Sequence, residues 1–168
     1  MVDRQTIKDI ALALVILLVV FGGLYLYTGG WPPLVSITSE SMIPHLEKGD
    51  LVLIQSLSRG DVRTYEDNGS NYTSFGEAGD VIVYRPYGSA NATPVIHRAI
   101  RWVEQGQPMW KGGTSAPWSG YVTLGDNNAG IYDQEADISF DAPVKKEWVI
   151  GIARYRIPLM GYIRSIIP

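Results

Sequence analysis

The apolar positions of the chain follow two patterns, one near the N-terminus and one over the remainder. Residues 10–27, IALALVILLVVFGGLYLY, carry no charge. As a helix they would span ~27 Å, close to the hydrocarbon thickness of a bilayer. Tyr25, Tyr27 and Trp31 lie at the far end of this run, where aromatic side chains favour the membrane interface. The run therefore predicts one transmembrane helix.

The charges that flank the apolar run predict its orientation. Arg4 and Lys8 precede it, and the next basic residue is Lys48. Because basic residues are enriched on the cytoplasmic side, we expect residues 1–9 in the cytoplasm and residues 28–168 outside the plasma membrane. A cleaved signal peptide is the alternative, but the run is long for one and TGGWPP has no A-x-A-like site. Three glycosylation triplets fit this orientation: Asn68, Asn71 and Asn91.

Beyond this predicted anchor, the apolar residues occur in short runs. LVSIT, DLVLIQ, DVIVYR, PVIHRAI and GYVTLGD are rich in Val and Ile and bounded by Gly, Asp or Pro. Such spacing is typical of strands joined by turns, so it predicts a mainly β domain, either a partly open barrel or a sandwich-like sheet. Residues 63–78 are predicted to form a surface loop, and residues 105–120 the tip of a long hairpin. The apolar stretch 157–168 is compatible with lying on the bilayer or closing the core.

The composition narrows the chemistry of this domain. The 168 residues have a net charge of −3, which gives no reason to expect nucleic-acid binding, since that normally requires a basic face. There is no cysteine, so disulfides, thiolate metal sites and cysteine nucleophiles are excluded. The two histidines, His45 and His97, are too few for a histidine-rich metal centre. We therefore expect neither a metal nor another cofactor.

A serine at the end of an apolar run is the candidate nucleophile. Ser41 lies in ITSESMIPHLEKGD, and a serine needs a base to accept its proton and a partner to orient that base. The neighbours of His45 predict an exposed loop residue, whereas His97 lies in an apolar strand, where a structural role is the commoner outcome. Asp126 and Asp133, in TLGDNNAGIYDQ, are candidate acids or members of an Asx-rich turn. Two further aspartates follow glycines and are predicted to be turn residues: Asp50 and Asp80.

Four sequence blocks occur in the order found in a known enzyme family. They are SESMIPHLEKGD at 39–50, GDVIVYRP at 79–86, VIHRAI at 95–100 and GDNN at 125–128. Behind one N-terminal anchor, this series resembles signal peptidase I. It is closer to the archaeal and endoplasmic-reticulum type, in which a histidine replaces the bacterial lysine base. The resemblance extends to about residue 135, and ARYRIPLMGYI resembles the C-terminal part of the family.

The resemblance implies a role for each matching residue. Ser41 would be the nucleophile and His97 the general base. The acid that completes the family's site lies six positions after the GDN aspartate, which is Tyr132 in this chain. A loop longer by one residue would make Asp133 the acid that orients His97. Asp126 would then support the site, or it would take that role itself.

The resemblance also implies an oxyanion site and a substrate. The Ser39 hydroxyl and the Ser41 N–H would hold the oxyanion. The substrates would be precursor proteins bearing signal peptides, cut after small residues, with the lipid bilayer and a secretion translocon as further partners. Shallow pockets between the Ser41 strand and the GDVIVYR strand would accept those small residues, and the peptide would bind in an extended form as an added strand. The residues expected to contact it are Ile37, Met42, Val81 and Val83.

Three alternatives to a general signal peptidase remain open at this point. The first is a membrane-bound protease that processes pilins or surface proteins. The second is a non-enzymatic anchored cell-surface β-domain that binds a partner or a glycan, and a Ser41–His97 separation above about 6 Å would favour it. The third is a relative of the self-cleaving repressors, but these lack an anchor and use lysine as the base.

Overall fold

The N-terminal apolar run forms one long helix. The structure, a computed structural model, describes residues 3–67 and 72–158. Helix α1, Arg4–Thr28, includes the predicted span 10–27 and is long and apolar enough to cross a membrane. Its apolar side chains are exposed, as expected for a helix whose natural surroundings are lipid. Asn68, Asn71 and the end of the C-terminal apolar stretch lie outside the described residues, and Asn91 is exposed.

The remainder is mainly antiparallel β structure, which confirms the predicted fold class. Six strands form one sheet in the order β1-β2-β8-β5-β6-β7, and the sheet does not close into a barrel. Strands β3 and β4 form a separate small hairpin within the stretch predicted to be a surface loop. The strands are β1 (Leu34–Ser36), β2 (Leu51–Gln55), β3 (Thr73–Ser74), β4 (Glu77–Ala78), β5 (Val81–Tyr84), β6 (Val95–Val103), β7 (Gly120–Leu124) and β8 (Val149–Ile157). The second predicted loop connects β6 to β7, so it is a hairpin tip.

The position of strand β5 in the sheet explains why the DVIVYR run does not alternate between apolar and polar residues. It lies between β8 and β6 and is buried at every position. Val81 and Val83 pack into a cluster with Met42, whereas Ile82 and Tyr84 belong to a second cluster on the other face. A strand covered on both faces needs apolar residues at every position.

Two of the Gly-Asp turns connect to β8 through ion pairs. Asp50 Oδ2 lies 2.9 Å from Arg156 Nε, and Asp80 Oδ1 lies 3.0 Å from Arg154 Nη1. Both carboxylates are buried, and a buried charge must be compensated by a partner. The prediction that Asp50 and Asp80 are turn residues is therefore incomplete, because both also anchor their turns to a neighbouring strand.

We expect Ile152→Ala to lower the free energy of unfolding by about 2–5 kcal/mol, because it opens a cavity under the central sheet. Ile152 is fully buried, whereas Ile157 on the same strand is 41% exposed. The matched change Ile157→Ala should cost about 0.5 kcal/mol or less. Denaturant unfolding of the full chain in detergent, followed by tryptophan fluorescence, compares the two. Equal losses would contradict this placement of the core.

Candidate active site

The fold brings the candidate serine and one histidine into hydrogen-bond contact. Ser41 begins the turn that follows β1, and His97 lies near the start of β6. The distance from Ser41 Oγ to His97 Nε2 is 2.8 Å. This contact joins two parts of the chain that are 56 positions apart. It has the geometry needed for proton transfer from the hydroxyl to the imidazole.

The other ring nitrogen of His97 contacts Asp133. Its Nδ1 lies 2.7 Å and 2.8 Å from the two carboxylate oxygens, and both residues are buried. An ionised carboxylate can only accept hydrogen bonds, so Nδ1 carries the proton that it donates. In the neutral ring, Nε2 is then an acceptor that faces the Ser41 hydroxyl. Ser41, His97 and Asp133 thus form a continuous chain of hydrogen bonds.

Two neutral side chains hold Asp133 in place. The Tyr84 hydroxyl donates to Asp133 Oδ2 at 2.7 Å, and Thr123 Oγ1 donates to the same oxygen at 2.6 Å. Burial, and then the negative charge of Asp133, raise the pKa of Tyr84 well above its usual value, so its hydroxyl remains a donor. Sequence reasoning missed Tyr84 and Thr123. The available signal was the presence of hydroxyl-bearing residues in two strands that are otherwise apolar, Tyr84 in β5 and both Tyr121 and Thr123 in β7.

The loop after β7 brings Asp133, and not Tyr132, to His97. It turns at Ala129 and Gly130, which both have positive φ angles, of 52° and 81°. Tyr132 packs against Trp110, with 5.7 Å between the ring centroids. The next residue, Asp133, is the one that reaches His97.

Asp126 belongs to a separate ion-pair cluster. Its carboxylate accepts from Arg98 Nε at 2.8 Å and Nη2 at 2.7 Å, and His45 Nδ1 lies 2.7 Å from Oδ2. Among the described residues, Asp126 makes no hydrogen bond with His97. His45 is half-buried in this cluster, so its prediction as an exposed loop residue is wrong. The sequence does not reveal its partner, because Asp126 is 81 positions away.

The loop that carries Asp126 also fixes the turn that carries Ser41. The Asn127 N–H donates to the Ser41 carbonyl at 2.8 Å, and Asn127 Nδ2 donates to the Glu40 carbonyl at 3.1 Å. Gly125 lies so close that an added Cβ would be 2.8 Å from the Ser41 carbonyl oxygen. Gly125 and Asn127 of the GDNN block therefore help to position the turn that carries Ser41.

The predicted oxyanion donors lie beside the serine hydroxyl. Ser39 Oγ is 3.1 Å from Ser41 Oγ, and Ser39 is exposed. Within the described residues the Ser41 N–H has no acceptor. The Ser41 N–H can thus meet a substrate oxygen directly. The Ser39 hydroxyl donates to Ser41 Oγ while that group donates to His97, so it must rotate to reach the same oxygen. Donors of this kind stabilise a developing negative charge.

An open groove of about 330 Å³ leads to the serine and the histidine. One wall is formed by residues 36–41 and the other by residues 93–97. Strand β7 pairs with β6 only from Arg98 onward, so the edge of β6 beside His97 has no partner strand among the described residues. Such an edge can accept an extended peptide as an added strand. The residues that line the groove are Ser36, Thr38, Ser39, Ser41, Thr93, Pro94, Val95, Ile96, His97, Asn128 and Ile138.

The four residues predicted to contact substrate do not line this groove. Ile37, Met42, Val81 and Val83 are at most 3% exposed and form part of one core cluster. Ile37 alternates with the groove residues of its segment and therefore faces inward. The two valines lie on a central strand that is covered on both faces.

Comparison with known proteins identifies relatives of this chain, although no protein-family profile matches it. It is 27% identical over 169 residues to the signal peptidase complex catalytic subunit sec11 of Aspergillus terreus, covering 95% of this chain and 80% of that protein. The subunit sec11 of Aspergillus clavatus is 25% identical, with 95% and 79% covered. The catalytic subunit SEC11C of Canis lupus familiaris is 26% identical, with 89% and 64% covered. The chain is thus a homologue of signal peptidase complex catalytic subunits, which confirms its resemblance to the endoplasmic-reticulum type of signal peptidase I.

Proposed function

We propose that the protein is a membrane-anchored serine endopeptidase that removes N-terminal signal peptides from precursor proteins. The observation that carries this proposal is the chain of hydrogen bonds from Ser41 through His97 to Asp133, at the end of an open groove. The homology to signal peptidase catalytic subunits supports the same substrate class. The sites of cleavage would be peptide bonds that follow small residues.

The geometry supports acyl transfer through a serine ester. His97 Nε2 accepts the Ser41 proton as Oγ attacks the scissile carbonyl carbon. The negative oxygen that forms is stabilised by the Ser39 hydroxyl and the Ser41 N–H. His97 then donates its proton to the leaving amine, and a water molecule, deprotonated by the same ring, releases the acyl group. Asp133 orients the imidazole and stabilises its charged form in the transition state.

The helical anchor would hold the proposed reaction close to the membrane surface. Residues 29–33 alone connect α1 to β1, so the groove is tethered near one end of the apolar helix. We place residues 1–9 in the cytoplasm, residues 10–27 in the plasma membrane and the peptidase domain, residues 28–168, outside. Tethering raises the effective concentration of the enzyme beside precursors that enter the same membrane, where a secretion translocon would deliver them.

The non-enzymatic alternative, an anchored domain that binds a partner or a glycan, gives no reason for a serine–histidine contact. The observed distance of 2.8 Å is well below the separation that would favour that alternative. A lysine-based repressor-type mechanism is also disfavoured, because the residue that contacts Ser41 is a histidine.

We expect Ser41→Ala and His97→Ala to abolish cleavage of a precursor by the reconstituted full chain. Asp133→Asn should lower kcat by about 10⁴-fold, because an amide in this position favours the wrong tautomer of the ring. Asp126→Asn should act mainly on folding, since it leaves Arg98 without its buried partner. Its activity per folded molecule should therefore exceed that of Asp133→Asn.

The control for these variants is Ser36→Ala, which removes another hydroxyl from the same groove and should leave kcat within about threefold of the parent. Full activity in His97→Ala would rule out the proposed mechanism. Equal losses per folded molecule in the two aspartate variants would rule out the assignment of Asp133 as the orienting acid.

A separate test concerns the oxyanion. Ser39→Ala should lower kcat by about 10²-fold with little change in KM, because the lost donor acts mainly in the transition state. Steady-state kinetics on a synthetic precursor peptide measures both constants. A change confined to KM would instead indicate that Ser39 only binds the ground state.

The support of Asp133 can be tested through Tyr84. Tyr84→Phe keeps the ring but removes one donor to Asp133, so we expect kcat to fall about tenfold and the free energy of unfolding to fall by about 1 kcal/mol. Tyr121→Phe is the matched control, because its hydroxyl makes no hydrogen bond within the described residues and its ring is also buried. Identical kinetics in the two variants would contradict a role for Tyr84 in positioning the acid.

A further inference from the structure

A second cavity, of about 430 Å³, lies away from the serine and histidine, beside the C-terminal end of α1. Its lining has an unusual content of guanidinium groups, from Arg59, Arg63 and Arg154. The remaining lining residues are Gly60, Asp61, Tyr72 and Asp80.

The cavity has an excess of positive charge in a chain that is acidic overall. Both of its carboxylates already have basic partners: Asp80 pairs with Arg154 at 3.0 Å, and Asp61 pairs with Lys146 at 2.9 Å. Among the described residues, neither Arg59 nor Arg63 pairs with a carboxylate. The Arg63 guanidinium lies over the Tyr72 ring at 4.6 Å, a contact that leaves its N–H groups available. Two guanidiniums can therefore bind an anion.

Direct contacts fix this cavity at the end of the apolar helix. Arg59 Nη2 donates to the carbonyl of Leu26 at 2.7 Å, within the last turn of α1. Gly29, with a φ of 68°, permits this approach, since an added Cβ would lie 2.8 Å from Arg59 Cγ. On the other side, Arg154 Nε donates to Gln55 at 3.1 Å. If α1 spans the bilayer, these contacts hold the guanidiniums at the depth of the lipid headgroups.

We propose that this cavity binds the phosphate group of an anionic phospholipid. Arginine presents several N–H donors in a plane that matches a phosphate, and such charge-assisted hydrogen bonds are strong. A free phosphate ion has the same chemistry, but the position at the helix end favours a lipid, whose acyl chains would lie along the exposed face of α1. The bound headgroup would fix the height and tilt of the β domain relative to the membrane. This inference rests on α1 being a membrane span and does not depend on peptidase activity.

The test uses the full chain in a neutral detergent, titrated with dihexanoyl phosphatidylglycerol, dihexanoyl phosphatidylcholine or inorganic phosphate. Native mass spectrometry measures the bound fraction. The parent protein should bind phosphatidylglycerol, and Arg63→Gln should bind it about tenfold more weakly, as expected for one lost charge-assisted contact. Arg63→Lys should recover part of the affinity. Lys111→Gln removes one exposed positive charge far along the chain, in the β6–β7 hairpin, and should bind like the parent.

Arg63→Gln should retain full precursor cleavage in lipid-free detergent, which separates this site from the proposed active site and shows that the variant folds. Equal affinity for phosphatidylglycerol in the parent, Arg63→Gln and Lys111→Gln would overturn the proposal. Binding of inorganic phosphate as tightly as phosphatidylglycerol would overturn the assignment to a lipid. Loss of cleavage by Ser41→Ala with unchanged lipid binding would leave the two sites independent, as proposed.

Discussion

The buried carboxylate of Asp133 is the group on which the candidate active site depends. A charge without access to water needs donors, and three adjacent strands supply them: Tyr84 from β5, His97 from β6 and Thr123 from β7. These strands must therefore keep their register for the carboxylate to remain satisfied. The same requirement draws the loop after β7 back over the sheet, where the Asp133 N–H donates to the Thr123 carbonyl at 3.0 Å. The pairing of these three strands therefore also determines how the His97 ring is oriented.

The open sheet is a second constraint on the proposed site, because an extended peptide would need an unpaired strand edge. Closing the sheet into a barrel would cover the edge of β6 beside His97. The hairpin partner β7 instead begins to pair at Arg98, one residue beyond the histidine. His97 is consequently held by β5 on one side and lines the groove on the other. Rigid strands position reacting groups more accurately than loops do.

The sequence predicted those features that depend on local pattern or on motif order. Val-rich and Ile-rich runs indicated the strands, and the four blocks identified Ser41 and His97 as partners. Pairings between distant residues were out of reach, because alternation shows which face a residue occupies but not what lies opposite. For this reason the role of Tyr84 was missed and His45 was misjudged. The expected substrate contacts failed for a related reason: proximity to the serine in sequence says nothing about whether a side chain, such as that of Met42, faces the groove or the core.

The two aspartates after β7 differ in the charge that each can offer to the reaction. Asp126 is paired through both oxygens with Arg98, which is permanently charged, so little of its field is left for another group. Asp133 has neutral donors in Tyr84 and Thr123, and its only basic neighbour among the described residues is His97. Among the described residues, no permanent positive charge therefore balances its carboxylate. In the proposed reaction, this carboxylate would stabilise the charged ring most strongly at the moment when Ser41 has lost its proton, whereas Asp126 holds its loop through Arg98 and His45. Neutral donors around one acid and a guanidinium on the other are thus the physical basis for proposing an orienting role for Asp133 and a structural role for Asp126, within eight positions of the chain, from 126 to 133.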